Sequence, residues 1–249
     1  MSIYRRALNL HRSECTSART RRRDFIELAG IYGLILLVIW TPRPWQWGMW
    51  AVASVSILAV IAISFDGWRP MGICRQNFCR SLWAVAVAAA LSFGAVVMAE
   101  RLHTLHLPNS PFVFIRHYGS YAIWAGIQQL MLQCFFLSRA LRLIPNATAA
   151  AGLSACLFAI AHLPNPVLTV ITLVFGLAAC LIFLHYRNLW PLAMAHAILG
   201  IAIAVTIPVD LDHNMRVGIS YLTYVNRTVL SDAVAPAKPA ARWPLPTGQ

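Results

Sequence analysis

The chain has 249 residues, of which 59% are apolar and only 11% are charged. A soluble globular domain carries about 25% charged residues, so this composition excludes an ordinary soluble domain, a disordered chain and a small disulfide-rich protein. The 20 Lys and Arg residues outnumber the 8 Asp and Glu residues, which gives a formal net charge of +12. The basic residues lie between long apolar runs, a pattern typical of membrane-orienting charges and not of nucleic-acid binding. We therefore expect an integral membrane protein that binds the lipid bilayer and no nucleic acid.

Long apolar runs follow one another along the chain. A helix that spans a bilayer needs about 20 mostly apolar residues, and proline and glycine mark most of the joints between the runs. The sequence predicts an all-α, polytopic membrane protein with about seven transmembrane helices in a bundle. The predicted spans lie at 25–41, 45–65, 81–99, 118–137, 147–163, 165–185 and 189–208.

The arginines predict the orientation of these spans. The first 24 residues are rich in arginine, and the positive-inside rule places them in the cytoplasm. The three loops predicted outside carry only Arg43, Arg101 and Arg116. An odd number of spans leaves the C-terminus outside, and we expect a bacterial-type cytoplasmic membrane. The alternative, an organelle transit peptide at the Arg- and Ser-rich start, is disfavoured by Glu14 and Asp24.

Composition divides the chain into four predicted segments. Residues 1–24 form a basic cytoplasmic N-terminal segment, and 25–114 hold the N-terminal transmembrane helices. Residues 115–208 form a transmembrane core, and 209–249 form a C-terminal tail that is Pro-rich and predicted to be disordered at its end.

Polar side chains within the predicted spans concentrate in the core segment. Such residues are costly at membrane depth and are therefore candidates for function. Gln128, Gln129 and Gln133 lie near the middle of the fourth span, and helical periodicity puts Gln129 and Gln133 one turn apart. The alternative is that the three carboxamides form interhelical hydrogen bonds, each worth about 0.6–2 kcal/mol.

Two histidines follow in later spans. Phe158 and His162 are four residues apart and share a helix face. Pro164 breaks this helix, and Asn165 can satisfy the freed backbone groups. His196 lies within the last span among small residues, so we expect it to face the bundle interior.

The order of these residues resembles three motifs of the CPBP (Abi) family of intramembrane proteases, which is related to the CAAX-prenyl endopeptidases. The motifs are Glu-Glu-x-x-x-Arg, Phe-x-x-x-His and His-x-x-x-Asn/Asp, and the resemblance covers roughly residues 115–205. Phe158 to His162 fits the second motif in full. The first motif aligns with residues 128–133, but glutamine stands at all three defining positions. His196 fits the start of the third motif, where Gly200 replaces Asn or Asp.

The resemblance implies a set of site residues and a substrate class. His162, His196, Gln128 and Gln129 would be catalytic, and Gln133, Phe158 and Asn165 would orient the substrate. In the family, the first-motif glutamate activates water, while the histidines either bind a divalent metal such as zinc or polarise the scissile carbonyl. The metal ligands here would be His162 and His196. The substrate would be a membrane-bound peptide or a lipidated one.

The glutamines change what such a site can do. A carboxamide does not ionise, so it cannot act as a general base, and it is a poorer zinc ligand than a carboxylate. No Asp or Glu occurs between Glu100 and Asp210. If the predicted spans are straight, His162 and His196 also differ in depth by roughly 12 Å, too far to share one metal.

Three hypotheses follow from these residues. The chain is an intramembrane protease-like hydrolase with altered chemistry, in which a histidine is the base. Alternatively, it is an inactive relative, a pseudo-enzyme that binds a membrane segment or lipid. The third is an unrelated structural or transport role, which the lack of intramembrane charges and repeats disfavours.

Overall fold

The computed structural model describes residues 18–63, 67–108 and 110–234, which form helices and turns and contain no β-strand. The all-α prediction is confirmed for this part of the chain. A π-helix, Met131–Leu137, joins α5 to α6 without a break. The helices are α1 Ala18–Trp40, α2 Gln46–Ile63, α3 Phe78–Ser81, α4 Trp83–Arg101, α5 Pro111–Leu130, α6 Ser138–Leu143, α7 Ala147–Ile160, α8 Pro166–Tyr186, α9 Trp190–Thr206, α10 Val209–Asp212 and α11 Gly218–Val234.

Among the described residues, two helical units are long and apolar enough to cross a bilayer, Phe78–Arg101 and Pro166–Tyr186. A third is counted if α9 and the helical segment Val209–Met215, which are bent by 118° relative to each other, form one span. The chain is therefore an integral membrane protein with apolar helices, and the prediction of seven spans is not confirmed. One physical reason is the length of α7, whose 14 residues extend about 21 Å, less than the roughly 30 Å of a bilayer core.

Several boundaries differ from the predicted ones. The fifth predicted span, 147–163, contains a helix that ends at Ile160, because residues 161–164 form a turn before Pro166 starts α8. At the N-terminus, α1 begins at Ala18, so Asp24 lies inside a helix. The tail predicted from residue 209 contains α10 and α11. Residues 1–17 and the Pro-rich end, 235–249, lie outside the described residues.

Hydrogen bonds tie the connections together at two opposite ends of the bundle. At one end, Asn77 Nδ2 donates to the carbonyl of Tyr186 at 2.9 Å, and Arg21 Nη2 donates to the carbonyl of Leu143 at 3.1 Å. At the other end, three donors bond to backbone carbonyl oxygens: Thr104 Oγ1 to that of Thr206 at 3.1 Å, Gln46 Nε2 to that of Val38 at 3.0 Å, and Gly218 N to that of Leu163 at 2.8 Å. Successive helices therefore run alternately between the same two ends.

The core of the bundle lies where the π-helix meets α7, α8 and α9. α7 and α8 form an antiparallel hairpin, and α9 packs against α4 and α5. Leu132, Ala151 and Cys180 are completely buried in the shared apolar cluster, as are Phe183 and Leu192 to within 1%. Because small residues such as Ala151 let helices approach closely in a membrane, these elements hold the polar side chains of α5 and α9 against each other.

Candidate functional site

A change of helix type lies within the first motif. α5 is α-helical up to Leu130, and the next seven residues are π-helical. π-helical turns widen the i→i+4 ladder to i→i+5 and occur frequently at functional sites. Gln129 therefore lies in the last α-helical turn and Gln133 in the π-helix. Both side chains are buried, with 0% and 1% exposed, respectively.

The two glutamines and His196 form one buried hydrogen-bonded chain. Gln133 Nε2 donates to Gln129 Oε1 at 3.2 Å, and Gln129 Nε2 lies 3.2 Å from His196 Nδ1. Since an amide nitrogen can only donate, Nδ1 accepts and the neutral ring of His196 carries its hydrogen on Nε2. His196 is 7% exposed. Gln133 Oε1 has no partner among the described residues. The three side chains are polar and uncharged, and one buried acceptor atom among them lacks a hydrogen-bond partner.

Phe158 connects His196 to His162. The ring centroid of Phe158 lies 4.9 Å from that of His162 and 5.9 Å from that of His196, and both pairs pack edge to face. A tilted Phe175 ring, with its centroid 5.0 Å away, packs on His196 as well. Both histidines therefore contact one aromatic ring, and the depth difference expected for straight spans is not observed. Phe158 lies beside Gly176 in the middle of α8, and His162 follows in the turn after α7.

His162 takes the opposite tautomer from His196. Its Nδ1 lies 2.7 Å from the carbonyl oxygen of Phe158, and because a carbonyl can only accept, Nδ1 carries the hydrogen. The lone pair of His162 Nε2 therefore stays available. His162 is half-buried and lies in the turn that follows α7. The site thus contains one Nε2 acceptor and one Nε2–H donor.

Gly176 provides the space for Phe158. A Cβ at position 176 would lie 3.2 Å from Phe158 Cδ1 and 3.4 Å from Ala155 Cα. We expect Gly176→Ala to destabilise the protein by about 1–2 kcal/mol, because the α7–α8 contact must widen. Gly152→Ala on α7 is the matched control, since nothing lies within 4 Å of its Cβ position, and it should be neutral or slightly stabilising. Thermal unfolding in detergent measures both, and equal stability of the two variants would contradict the expected clash.

Four of the seven predicted site residues lie outside this hydrogen-bonded chain: His162 and Phe158, described above, and Gln128 and Asn165. Gln128 is half-buried. Asn165 caps α8, with its Oδ1 accepting from Leu168 N at 3.1 Å. Its Nδ2 donates to the carbonyls of Asp212 at 2.6 Å and Arg216 at 3.1 Å. Asn165 therefore fixes the turn that carries His162 against the segment before α11. Its predicted role in orienting substrate stays a prediction, as does a catalytic role for Gln128.

Two carboxylates of α1 pair with arginines of α6, although residues 101–209 themselves contain no Asp or Glu. Glu27 Oε2 accepts from Arg139 at 3.1 Å, and Asp24 pairs with Arg142 at 3.0 Å. Burial, then the neighbouring Arg142 cation, lower the pKa of Arg139, while the hydrogen bond to Glu27 opposes this shift. Both arginines lie on α6, immediately after the π-helix. These pairs fasten α1 to α6 and leave the glutamine–histidine chain neutral.

The described side chains do not form a catalytic zinc site. They contain no group of three His, Cys, Asp or Glu residues that could hold a metal ion, whereas catalytic zinc has three protein ligands and an open position. Two imidazoles alone are too few donors for such a site. The assignment of His162 and His196 as zinc ligands stays a prediction.

Sequence reasoning missed Tyr121, which contacts the third motif. A Cβ at position 200 would overlap the Tyr121 hydroxyl and lie 2.5 Å from its Cζ. Gly200 is thus the residue that allows Tyr121 to approach α9. A signal was present in the sequence, since the replacement of Asn or Asp by glycine opens space that a large side chain must fill.

The described residues form an all-helical membrane protein in which hydrogen bonds join Gln133, Gln129 and His196, while His162 shares the Phe158 ring with His196. Residues 119–202 of this chain match the family model described as Type II CAAX prenyl endopeptidase Rce1-like. The match includes both histidines and confirms, over that segment, the resemblance seen in the motifs. It covers about a third of the chain. No curated protein and no solved structure matches the chain.

Proposed function

We propose that the chain is a CAAX-type intramembrane endopeptidase that acts on membrane-bound or prenylated peptides, with imidazoles in place of the glutamates as proton-transfer groups. The observation that carries this proposal is the pairing of two histidines in opposite tautomers on one Phe158 ring. The match to the CAAX endopeptidase model over residues 119–202 supports the reaction class and the membrane-bound substrate.

The tautomers assign a role to each ring in peptide hydrolysis. His162 Nε2 takes a proton from a water molecule as its oxygen attacks the scissile carbonyl carbon. His196 Nε2–H donates to the carbonyl oxygen, on which negative charge develops. The proton held by His162 then passes to the leaving nitrogen as the C–N bond breaks, which yields a carboxylate and an amine. Histidine suits this role because its imidazole can both accept and donate a proton.

The glutamines keep His196 in the productive tautomer. Gln129 donates to Nδ1 and thereby leaves the hydrogen on Nε2, and Gln133 holds the orientation of Gln129 by donating to its Oε1. Gln128, half-buried beside them, is available to a peptide that enters between the helices. Carboxamides serve this purpose because they orient groups without adding charge to an apolar interior.

For the membrane topology, we propose that the seven predicted segments cross the bilayer with the arginine-rich end inside. The two sets of connections at opposite ends of the bundle support this alternation. Arg21, Arg139 and Arg142 lie at one end, where α1 contacts α6. This end would face the cytoplasm by the positive-inside rule, in a bacterial-type membrane, and the C-terminus would lie outside.

Cleavage of a prenylated peptide by the purified protein in liposomes tests this proposal. We expect His162→Ala and His196→Ala each to lower the rate at least about 10²-fold, since general acid–base groups contribute that much or more. His117→Ala is the matched control, because this exposed histidine of α5 should leave the rate unchanged. A chelator should not change the rate either. Cleavage that survives both histidine substitutions would rule out the proposed roles.

A second candidate function is a catalytically inactive relative that binds a membrane segment or lipid. The observation that favours it is that both polar atoms of the Gln129 carboxamide, Nε2 and Oε1, bond within the protein at a position where the related motif has a glutamate. The same liposome assay separates the two candidates. Binding of the peptide without turnover, unaffected by Gln129→Glu, supports the inactive relative, and turnover excludes it.

A further inference from the structure

The Tyr121 hydroxyl occupies the space that the third motif gives to an Asn or Asp side chain. Gly200 stands at that motif position, four residues after His196 and so on the same face of α9. The oxygen of Tyr121 is the atom closest to where a Cβ of residue 200 would be, and two ring carbons of Tyr121 are the next closest. A polar group is therefore present at this position of the site, but α5 delivers it instead of α9.

Tyr121 lies along the line of residues that leads to the glutamine–histidine chain. Tyr121, Ala125 and Gln129 follow at intervals of four residues, and Ala125 and Gln129 are completely buried. The side chain of Tyr121 is half-buried. Its hydroxyl makes no hydrogen bond to any residue that the structure describes. A polar group that lies within a membrane bundle and has no internal partner is a candidate for contact with a ligand.

We infer that Tyr121 is a further substrate-binding residue, whose hydroxyl donates a hydrogen bond to a backbone carbonyl of the peptide bound beside His196. This inference rests on the proposed function, since it names a contact to the same peptide. Chemistry favours a carbonyl as the partner. A phenol at neutral pH carries its hydrogen and is a good donor, and the peptide in an apolar site needs donors for its carbonyls.

Tyr121→Phe removes the hydroxyl and keeps the ring against Gly200. A hydrogen bond to a backbone carbonyl of the bound peptide stabilises the ground and transition states alike, so we expect KM in liposomes to rise about 3- to 10-fold, with kcat little changed. Tyr118→Phe is the matched control, because this tyrosine lies one turn earlier on α5 and is buried. A KM unchanged by Tyr121→Phe overturns the inference, although it leaves the proposed function standing if His162→Ala is inactive.

A second readout does not depend on turnover. Infrared spectroscopy of a bound prenylated peptide with an isotope-labelled carbonyl reports the hydrogen bond as a lowered stretching frequency. We expect Tyr121→Phe to remove this shift, and an identical band in both proteins overturns the inference. If the wild-type protein neither cleaves nor binds the peptide, the proposed function fails and this inference fails with it.

A third variant covers the case in which Tyr121→Phe does not fold. The double substitution Tyr121→Ala with Gly200→Asn returns a carboxamide to the vacated space. It should cleave faster than Tyr121→Ala with Gly200→Ala, which has no polar group at this position. Equal rates for the two double variants overturn the inference.

Discussion

Gly200→Ala is expected to destabilise the protein by about 3 kcal/mol, even though alanine is a better helix former than glycine. The added Cβ would overlap the hydroxyl of Tyr121 and lie 2.5 Å from Cζ and 2.7 Å from Cε1. Overpacking of a close contact costs about 1–3 kcal/mol and occasionally more, and the rigid ring cannot move aside as the end of a flexible chain can. Gly200→Asn, which would restore the third motif, should cost at least as much.

Two comparisons isolate the contact with Tyr121. Gly126→Ala, on α5, is the matched control, because nothing lies within 4 Å of its Cβ position, and alanine there should be neutral or slightly stabilising. Adding Tyr121→Ala to Gly200→Ala should recover most of the loss, beyond what the two single changes predict. Thermal unfolding in detergent, followed by circular dichroism, measures all four variants. Additive effects of the two substitutions would show that the clash is not the cause.

A polar partner for Gln129 and for His196 could be expected from the sequence, but their pairing with each other was not predicted. Carboxamides and imidazoles inside predicted spans must find polar partners, and the order of the motifs placed them in adjacent parts of one core. The structure joins Gln129 to His196 and Gln133 to Gln129. The prediction that Gln129 and Gln133 lie one turn apart assumed a regular α-helix. The π-helix that starts at Met131 could not be predicted, because its mostly apolar sequence does not distinguish it from an α-helix.

The end of α7 was predicted less well because two signals compete there. Apolar residues continue to Leu163, so hydropathy extends the span, while Pro164 and Asn165 stop the helix. The structure ends the helix at Ile160 and uses Asn165 as the cap of α8. His162 therefore lies in the turn after the helix, and its ring and that of His196 both pack against Phe158. Tyr121 could not be found by periodicity, since its importance depends on a space that opens on another helix.

The ion pairs between α1 and α6 show a regularity that sequence reasoning could have used. Asp24 and Glu27 are three residues apart, as are Arg139 and Arg142. Residues three apart lie on one helix face, so two antiparallel helices can pair both sets at once. The structure pairs Glu27 with Arg139 and Asp24 with Arg142 in this way. The spacing shows that the two sets can pair, but it does not show that α1 packs against α6, because the paired residues are more than a hundred positions apart.

Arg139→Met is expected to destabilise the protein by about 3–5 kcal/mol, because it leaves Glu27 without its buried partner. The side chain of Arg139 is 4% exposed and that of Glu27 15%, and the guanidinium also lies 4.4 Å from the centroid of the Phe135 ring. Arg23→Met is the matched control. Arg23 pairs with the same carboxylate at 3.1 Å but is 56% exposed, so its loss should cost less than about 1 kcal/mol.

The double variant Glu27→Met with Arg139→Met separates the loss of the pair from the isolation of a charge. Replacing both members of a buried pair with apolar residues of similar size is often neutral, so we expect this variant to regain most of the stability that Arg139→Met loses. Thermal unfolding in detergent measures the wild-type protein, Arg139→Met, Arg23→Met and the double variant side by side. If Arg139→Met and Arg23→Met were equally stable, burial would not govern the strength of the pair. The attachment of α1 would then rest on its apolar contacts with the π-helix, in which Leu28 and Ile31 pack against Phe135 and Phe136.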